Sequence, residues 1–287
     1  MIGVSETAIV STKPTEVSGL TQTAAGVNSV SMSWNASAGA ASYVIYGYIN
    51  YNWTSATNSA TITGVAATTS TRFSVAAVKN VTGGTVTGDQ CSGVEMKAIP
   101  IKVSRIAMQY YWDSLKEAKY IWTDVNNADG YQYEVKSANG KKTYFRATST
   151  NSYTYVKPFP RGIFVKARVR AYVTVGNKVY YGAWSPYTYH ASSKKVTAKR
   201  SSNGKKIYLK WKKVSGASGY QVYVSTKSNG GFKKVKSLSS KKSSYTITKC
   251  GKKKLKKGKT YYVQLRYQTK VGKKKVSSKI VSSATVY

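Results

Sequence analysis

The sequence predicts an all-β chain of three tandem β-sandwich domains, and three observations carry that prediction. The first is the stretch KIYLKWKKVSGASGYQVYVS, residues 206–225, where Ile207, Leu209 and Trp211 alternate with polar neighbours and Tyr220, Val222 and Val224 do the same. Period-two alternation marks strands buried on one face only. The second is a repeat. Trp34, Trp122 and Trp211 are each followed nine residues later by a tyrosine, Tyr43, Tyr131 and Tyr220, and the tryptophans stand 88 and 89 residues apart. A period of that size is one small domain, not a solenoid unit. The third is composition. Among 287 residues there are 25 tyrosines and only five prolines, with abundant Val, Ser and Thr, which is strand-like usage.

Taken in order, residues 1–12 read as a polar leader, frayed or pairing as a partial first strand. The first repeat occupies residues 1–100 with that leader, and its turns are signalled at Gly64 and at Gly83-Gly84. The second spans 101–190 and the third 191–287. In the third, the link VSGASG offers Gly216 and Gly219 for the backbone angles of a turn. A second register supports the same division. Leu255, Gly258 and Tyr261 align with Phe159, Gly162 and Val165, and more loosely with Val65, Thr68 and Thr71. Each set leads into an alternating strand: YVQLRYQ, VKARVRAY and RFSVAAV. Short links near Ala98–Ile101 and His190–Ser193 imply limited bending between repeats.

Trp211, Tyr220 and the Tyr261 of LKKGKTY together resemble the fibronectin type III family, an immunoglobulin-like seven-stranded sandwich. The resemblance implies that Tyr261 is the corner tyrosine whose hydroxyl reaches back to nearby backbone. Thr71 and Val165 stand at the matching places of the earlier repeats, which therefore lack it. The lysine-rich style of the third repeat resembles modules of secreted surface proteins in Gram-positive gut bacteria. That likeness implies an accessory, non-catalytic, extracellular or cell-wall-associated role in a bacterium. No apolar run approaches the ~20 residues of a membrane span. The start MIGVSETAIVSTK has neither a basic n-region nor an apolar h-region, so no signal peptide is expected here.

Charge is the most informative functional feature. The net charge is +37, and it is graded along the chain. Residues 13–100 hold four basic and three acidic residues, 101–190 hold 14 and five, and 191–287 hold 28 and none. Uncompensated positive charge is relieved by a polyanion, with release of counterions and strong salt dependence. Candidate partners are a cell-wall or host polyanion, such as teichoic acid or an acidic glycan, with non-specific nucleic acid in vitro. Only Arg200 and Arg266 of the 28 are arginine, and lysine lacks the fork that reads base edges, which argues against sequence-specific recognition. The candidate residues are Lys252, Lys253, Lys254, Lys256, Lys257 and Lys259 before one strand, and Lys273, Lys274 and Lys275 in a presumed hairpin turn. These clusters are expected at opposite ends of the sandwich. Lys210 and Lys212 flank Trp211 and point outward. The charge suits diffuse adhesion; the plain alternative is a solvated coat that aids solubility.

Aromatic residues offer a rival, a carbohydrate-binding accessory. Tyr110, Tyr111, Trp112, Tyr180 and Tyr181 are its candidates, with Tyr46, Tyr48, Tyr51 and Trp53 in the first repeat. Cross-strand packing is the competing explanation for the same residues. Trp184 and Tyr187, in GAWSPY, look like the ordinary start of a last strand.

Catalysis has little support. The single histidine, His190, reads as an exposed linker residue, and Asp113, Glu117, Asp124, Asp129 and Glu134 fall near turns or on outward strand positions. No cofactor or metal set is legible. Cys91 and Cys250 fall in non-adjacent repeats; Cys250 reads either as a thiol activated by lysines or as a strand-end filler.

Overall fold

A computed structural model describes residues 12–47, 51–112, 114–192, 196–278 and 282–287. Tyr48, Asp113 and Ser193 lie outside the described residues. Among these residues every regular element is a strand, and no helix is long and apolar enough to cross a membrane. The backbone clusters into two compact units: residues 1–102 with 125–130 and 171–183, and residues 103–124 with 131–170 and 184–287.

One sandwich plan recurs three times. A three-stranded sheet, Thr21–Gly26, Ser29–Ser33 and Ser59–Thr63, faces a five-stranded one. The latter is ordered Asn52–Ser55, Ser42–Tyr46, Thr71–Val81 and Gly84–Thr87, with Val94–Met96 also pairing on Thr71–Val81. The second copy has Ile106–Trp112, Glu117–Trp122 and Tyr153–Val156 in its smaller sheet. Its larger sheet is centred on Gly130–Ser137 and Phe164–Val175. The third has Val196–Arg200, Ile207–Trp211 and Ser244–Ile247 in one sheet, with Gly219–Ser225 and Tyr261–Val271 central in the other. All the strand pairs registered in these sheets are antiparallel. This is tandem β-sandwich architecture.

The tryptophans occupy equivalent places. Trp34, Trp122 and Trp211 are all buried, each set edge-on to its tyrosine at 5.3, 5.5 and 5.4 Å between ring centroids. Strand alternation delivers them: Ile207, Leu209 and Trp211 are buried while Tyr208 and Lys210 are exposed. The tyrosine hydroxyls also do similar work. Those of Tyr43 and Tyr220 each accept the backbone N–H six residues back, from Ser37 and Val214, both at 3.1 Å. Tyr131 donates to the Asp124 carboxylate. Each tyrosine thus ties its strand to the link that precedes it.

A second device closes each last strand. At the break in that strand Cys91, Ser185 and Ser278 accept the backbone N–H of Val75, Val169 and Tyr267 at 3.2, 3.0 and 3.3 Å. The buried Cys91 thiol therefore stands where the other repeats use a serine hydroxyl. Each accepts an N–H that burial would otherwise leave without a partner.

Of the two glycines read as turn residues in the third repeat, one differs from that reading. Gly216 has φ +79° and makes the turn as expected. Gly219 already lies in its strand, and a Cβ there would sit 2.8 Å from the carbonyl oxygen of Leu238. It is needed for close backbone approach, not for a turn angle.

Both links between repeats are tied down. Within the first unit, Lys97 pairs with Asp129 at 2.6 Å, and the other Asp129 oxygen accepts the N–H of Thr174 at 2.7 Å. Within the second unit, Ser215 bonds to the strand start on both sides: its carbonyl accepts the Phe164 N–H at 2.8 Å, and its own N–H donates to the Gly162 oxygen at 2.8 Å. His190 corrects the expectation of an exposed linker residue. It is 6% exposed, sits in the strand Thr188–Ala191 and packs edge-on against Tyr120 at 5.5 Å. The last strand runs further than the composition of the link implies, and carries the ring into the core.

Candidate functional site

The lysine cluster of the third repeat is built on a small hairpin. Lys249–Cys250 pairs with Lys253–Lys254, with Gly251 at φ +63° in the turn. Buried Leu255 anchors the hairpin to the core. The chain then turns through Gly258 at φ +74° into the strand Tyr261–Val271. The Tyr261 hydroxyl accepts the Lys256 N–H at 3.0 Å, so the corner geometry implied by the family resemblance is present. Thr71 and Val165 fill the equivalent places as buried residues.

Arg200, which the sequence reading passed over, holds this loop from the neighbouring sheet. Its guanidinium donates to the carbonyls of Lys256, Gly204 and Lys259, the last at 2.6 Å, and lies 5.3 Å from the Tyr261 ring. Arginine's planar fork serves several carbonyls at once, which lysine's point charge does not. The loop's backbone is thus bound inward.

Across from the hairpin stands the strand Lys233–Ser239. Lys233 lies directly over Gly251, where a Cβ would come within 2.7 Å of its Cδ. Between them opens a groove of about 700 Å³ whose walls include Lys233, Lys234, Lys249, Lys252 and Lys253. A second, of about 310 Å³, shares Lys233, Cys250 and Lys253 and adds Lys254, Lys256 and Lys259. The two share these walls and lie side by side as a lysine-lined trench. The structure therefore brings together five of the six lysines of the first predicted cluster and adds Lys233, Lys234 and Lys249. Lys257 lies apart, against Gly204. Among the described residues, no lysine of the third repeat has a carboxylate partner; the ion pairs lie at Lys13–Asp89, Lys97–Asp129 and around Glu134.

Lys274 and Lys275 begin the strand Lys274–Ser277, which pairs back on Tyr261–Val271, and Lys273 precedes it in the turn. The first lysine cluster precedes the first residue of Tyr261–Val271 and the second follows its last, a span of about 33 Å at the rise of a strand.

Cys250 lies on the wall shared by both grooves, its Sγ 3.7 Å from the Val224 carbonyl. Burial pushes its thiol upward and outweighs the pull of Lys233 and Lys259, which corrects the reading of a lysine-activated thiol. It packs as a filler.

Phenylalanine in place of Tyr261 removes the acceptor for Lys256 N–H and leaves the ring in place. Its expected cost is about 1 kcal/mol in urea unfolding, together with faster amide exchange at Lys256.

The aromatic candidates do not form one site. Tyr111 packs on Phe159 at 5.7 Å, Tyr181 on Tyr172 at 5.9 Å, and the Tyr180 hydroxyl is 3.5 Å from the Thr23 carbonyl. Tyr110 and Trp112 stack on each other, at 4.5 Å.

Glu134 also departs from expectation. It points away from the sandwich core, as strand alternation requires, yet its side chain is 0% exposed. Arg146 and Arg168 reach it at 2.6 and 2.5 Å, Tyr187 donates at 2.9 Å, and Lys136 lies 3.3 Å away. Arg168 and Arg170 lie 4.3 and 4.4 Å from the Trp184 ring, closing the assembly. This is a structural clasp. Among the described residues no three His, Cys, Asp or Glu side chains gather as a metal site.

No family model and no curated protein sequence matches the chain. Among solved structures, the chain is similar to chicken contactin-1 fibronectin domains FN1–FN3, at 14% identity over 93% of this chain and 99% of that one, with a TM-score of 0.33. It is also similar to the central fibronectin-III array of RIM-binding protein, at 16% identity over 93% and 95%, with a TM-score of 0.24.

Proposed function

We propose that the chain is a non-catalytic adhesive segment of an extracellular or cell-wall-associated protein. Its three sandwiches are bounded at residues 100/101 and 190/191, and the third holds a polyanion along its lysine trench. The carrying observation is the convergence of lysines from the hairpin Lys249–Lys254 and the strand Lys233–Ser239 on one groove, in a repeat without a single acid. Lysine point charges on a firmly anchored backbone attract phosphate or sulfate without selecting sequence. The positive potential extends beyond the trench, and Lys273, Lys274 and Lys275 contribute at the far end. The ligand is a wall phosphate polymer or a sulfated or carboxylated glycan; DNA binds without sequence preference.

The test measures affinity of the full chain for heparin, polyphosphate and DNA across salt concentrations. Affinity should fall linearly with log salt. Replacing Lys233, Lys253 and Lys254 by alanine should reduce that slope by about 2 to 3, and more than the same change at Lys273, Lys274 and Lys275. Undiminished binding in the trench variant, or no binding at low salt, overturns the reading in favour of a merely solvating coat.

A further inference from the structure

The outward face of the small sheet in the second repeat carries a separate constellation. Strand register aligns Tyr110, Lys119 and Tyr155 in one row across three strands, with Trp112 opposite Glu117 beside them and Tyr153 opposite Ile121 on the other side. Trp112 stacks on Tyr110 at 4.5 Å, and Lys119 stands in register between Tyr110 and Tyr155. Tyr155 meets Tyr153 edge-on at 5.9 Å, and the Lys119 ammonium lies 5.0 and 5.5 Å from the centroids of those two rings. Trp112, Tyr153 and Tyr155 remain 48%, 41% and 50% exposed.

The corresponding faces of the other repeats differ in chemistry. In the first, Ser31 and Thr61 meet across the strands at 2.9 Å. In the third, Lys199, Tyr208 and Lys210 line a shallow groove with Thr197. One scaffold surface is therefore hydroxylic, aromatic or cationic according to the repeat. Cross-strand pairing alone does not require four aromatic rings on a face open to water.

We infer that this aromatic ridge binds an uncharged, extended pyranose polysaccharide, independently of the lysine trench. Ring faces suit the C–H face of a pyranose, while three phenol hydroxyls, an indole N–H, Lys119 and Glu117 offer hydrogen bonds to its hydroxyl rim. The ridge balances one ammonium with one carboxylate, which matches a neutral chain and not a polyanion. The outer strands of the sheet stand two strand spacings apart, about 10 Å, comparable to two linked pyranose rings.

The test is affinity electrophoresis of the full chain through gels containing hydroxyethyl cellulose, at high salt to silence the trench. Retardation is expected, and Trp112→Ala or Tyr155→Ala should weaken it about tenfold each. Trp112→Tyr, which keeps a ring with a polar tip, should retain most of it, as should the triple alanine variant of Lys233, Lys253 and Lys254. Both alanine changes are at exposed positions, and an unchanged melting temperature separates lost binding from lost fold. No retardation of the parent chain overturns the inference, and so does equal retardation of the Trp112→Ala and Tyr155→Ala variants.

Discussion

Trp211→Ala should destabilise the third sandwich by about 4 kcal/mol, and Trp34→Ala and Trp122→Ala should do the same to the first and second. Each tryptophan is buried, packed edge-on against its tyrosine, and backed by apolar residues of both sheets. Trp211 belongs to one buried cluster with Leu209, Val222 and Leu265. Truncation removes the ring's burial, its aromatic contact and its support for the strand. The informative outcome is which transition moves. If each sandwich has its own core, denaturant unfolding followed by residue-resolved amide exchange will lose protection in the mutated repeat first. Simultaneous loss in all three repeats would show that the proposed boundaries at 100/101 and 190/191 do not separate independent folding units. The tied links, Lys97 to Asp129 and Phe164 to Ser215, make some coupling measurable; a loss uniform across the chain is the result that decides against three domains.

The tryptophan positions were legible because a strand's period of two is a local property. Ile207, Leu209 and Trp211 declare a buried face within five residues, and the spacing from Trp211 to Tyr220 repeats it across a turn. The lysine trench was legible only in part. A run such as Lys252–Lys254 is visible in sequence, but Lys233 and Lys234 reach the same groove from a strand about twenty residues earlier. Arg200 looked like one more positive charge. Only the crossing of two sheets shows that it binds backbone carbonyls while the lysines face outward. The ridge in the second repeat was half visible. Tyr110 and Trp112 alternate along one strand, whereas Tyr153 and Tyr155 join them through a pairing more than thirty residues distant. Tyr111, between the first two, points to the opposite face, as period two demands. The adjacency that made these residues look like one aromatic cluster is what separates them.

Glu134 failed to declare itself for a related reason, and its replacement carries the other large expected effect. Alternation assigns it correctly to the outward face, where a carboxylate is ordinarily solvated. Its partners Arg146, Arg168 and Tyr187 stand 12, 34 and 53 residues away, and together they seal it from water. Burial alone would raise the carboxyl. The bonds from Arg146, Tyr187 and Arg168 overcome that and hold it at about 2, against an ordinary 4.5. Tyr187 is pushed up to about 12 by burial and by the carboxylate it serves, so the phenol remains a donor. Glu134→Gln should cost the second sandwich about 3 kcal/mol at neutral pH, because Arg168 and Lys136 stay partly buried without their counter-charge. Acid supplies a second signature. A folded-state carboxyl below its unfolded value gives stability that is full above about 4.5 and is lost as pH falls towards 2. Urea midpoints for parent and Glu134→Gln chains should therefore differ most near neutrality and converge below pH 3. A gap of constant size across that range would mean that shape, and not charge, gives Glu134 its hold on the clasp.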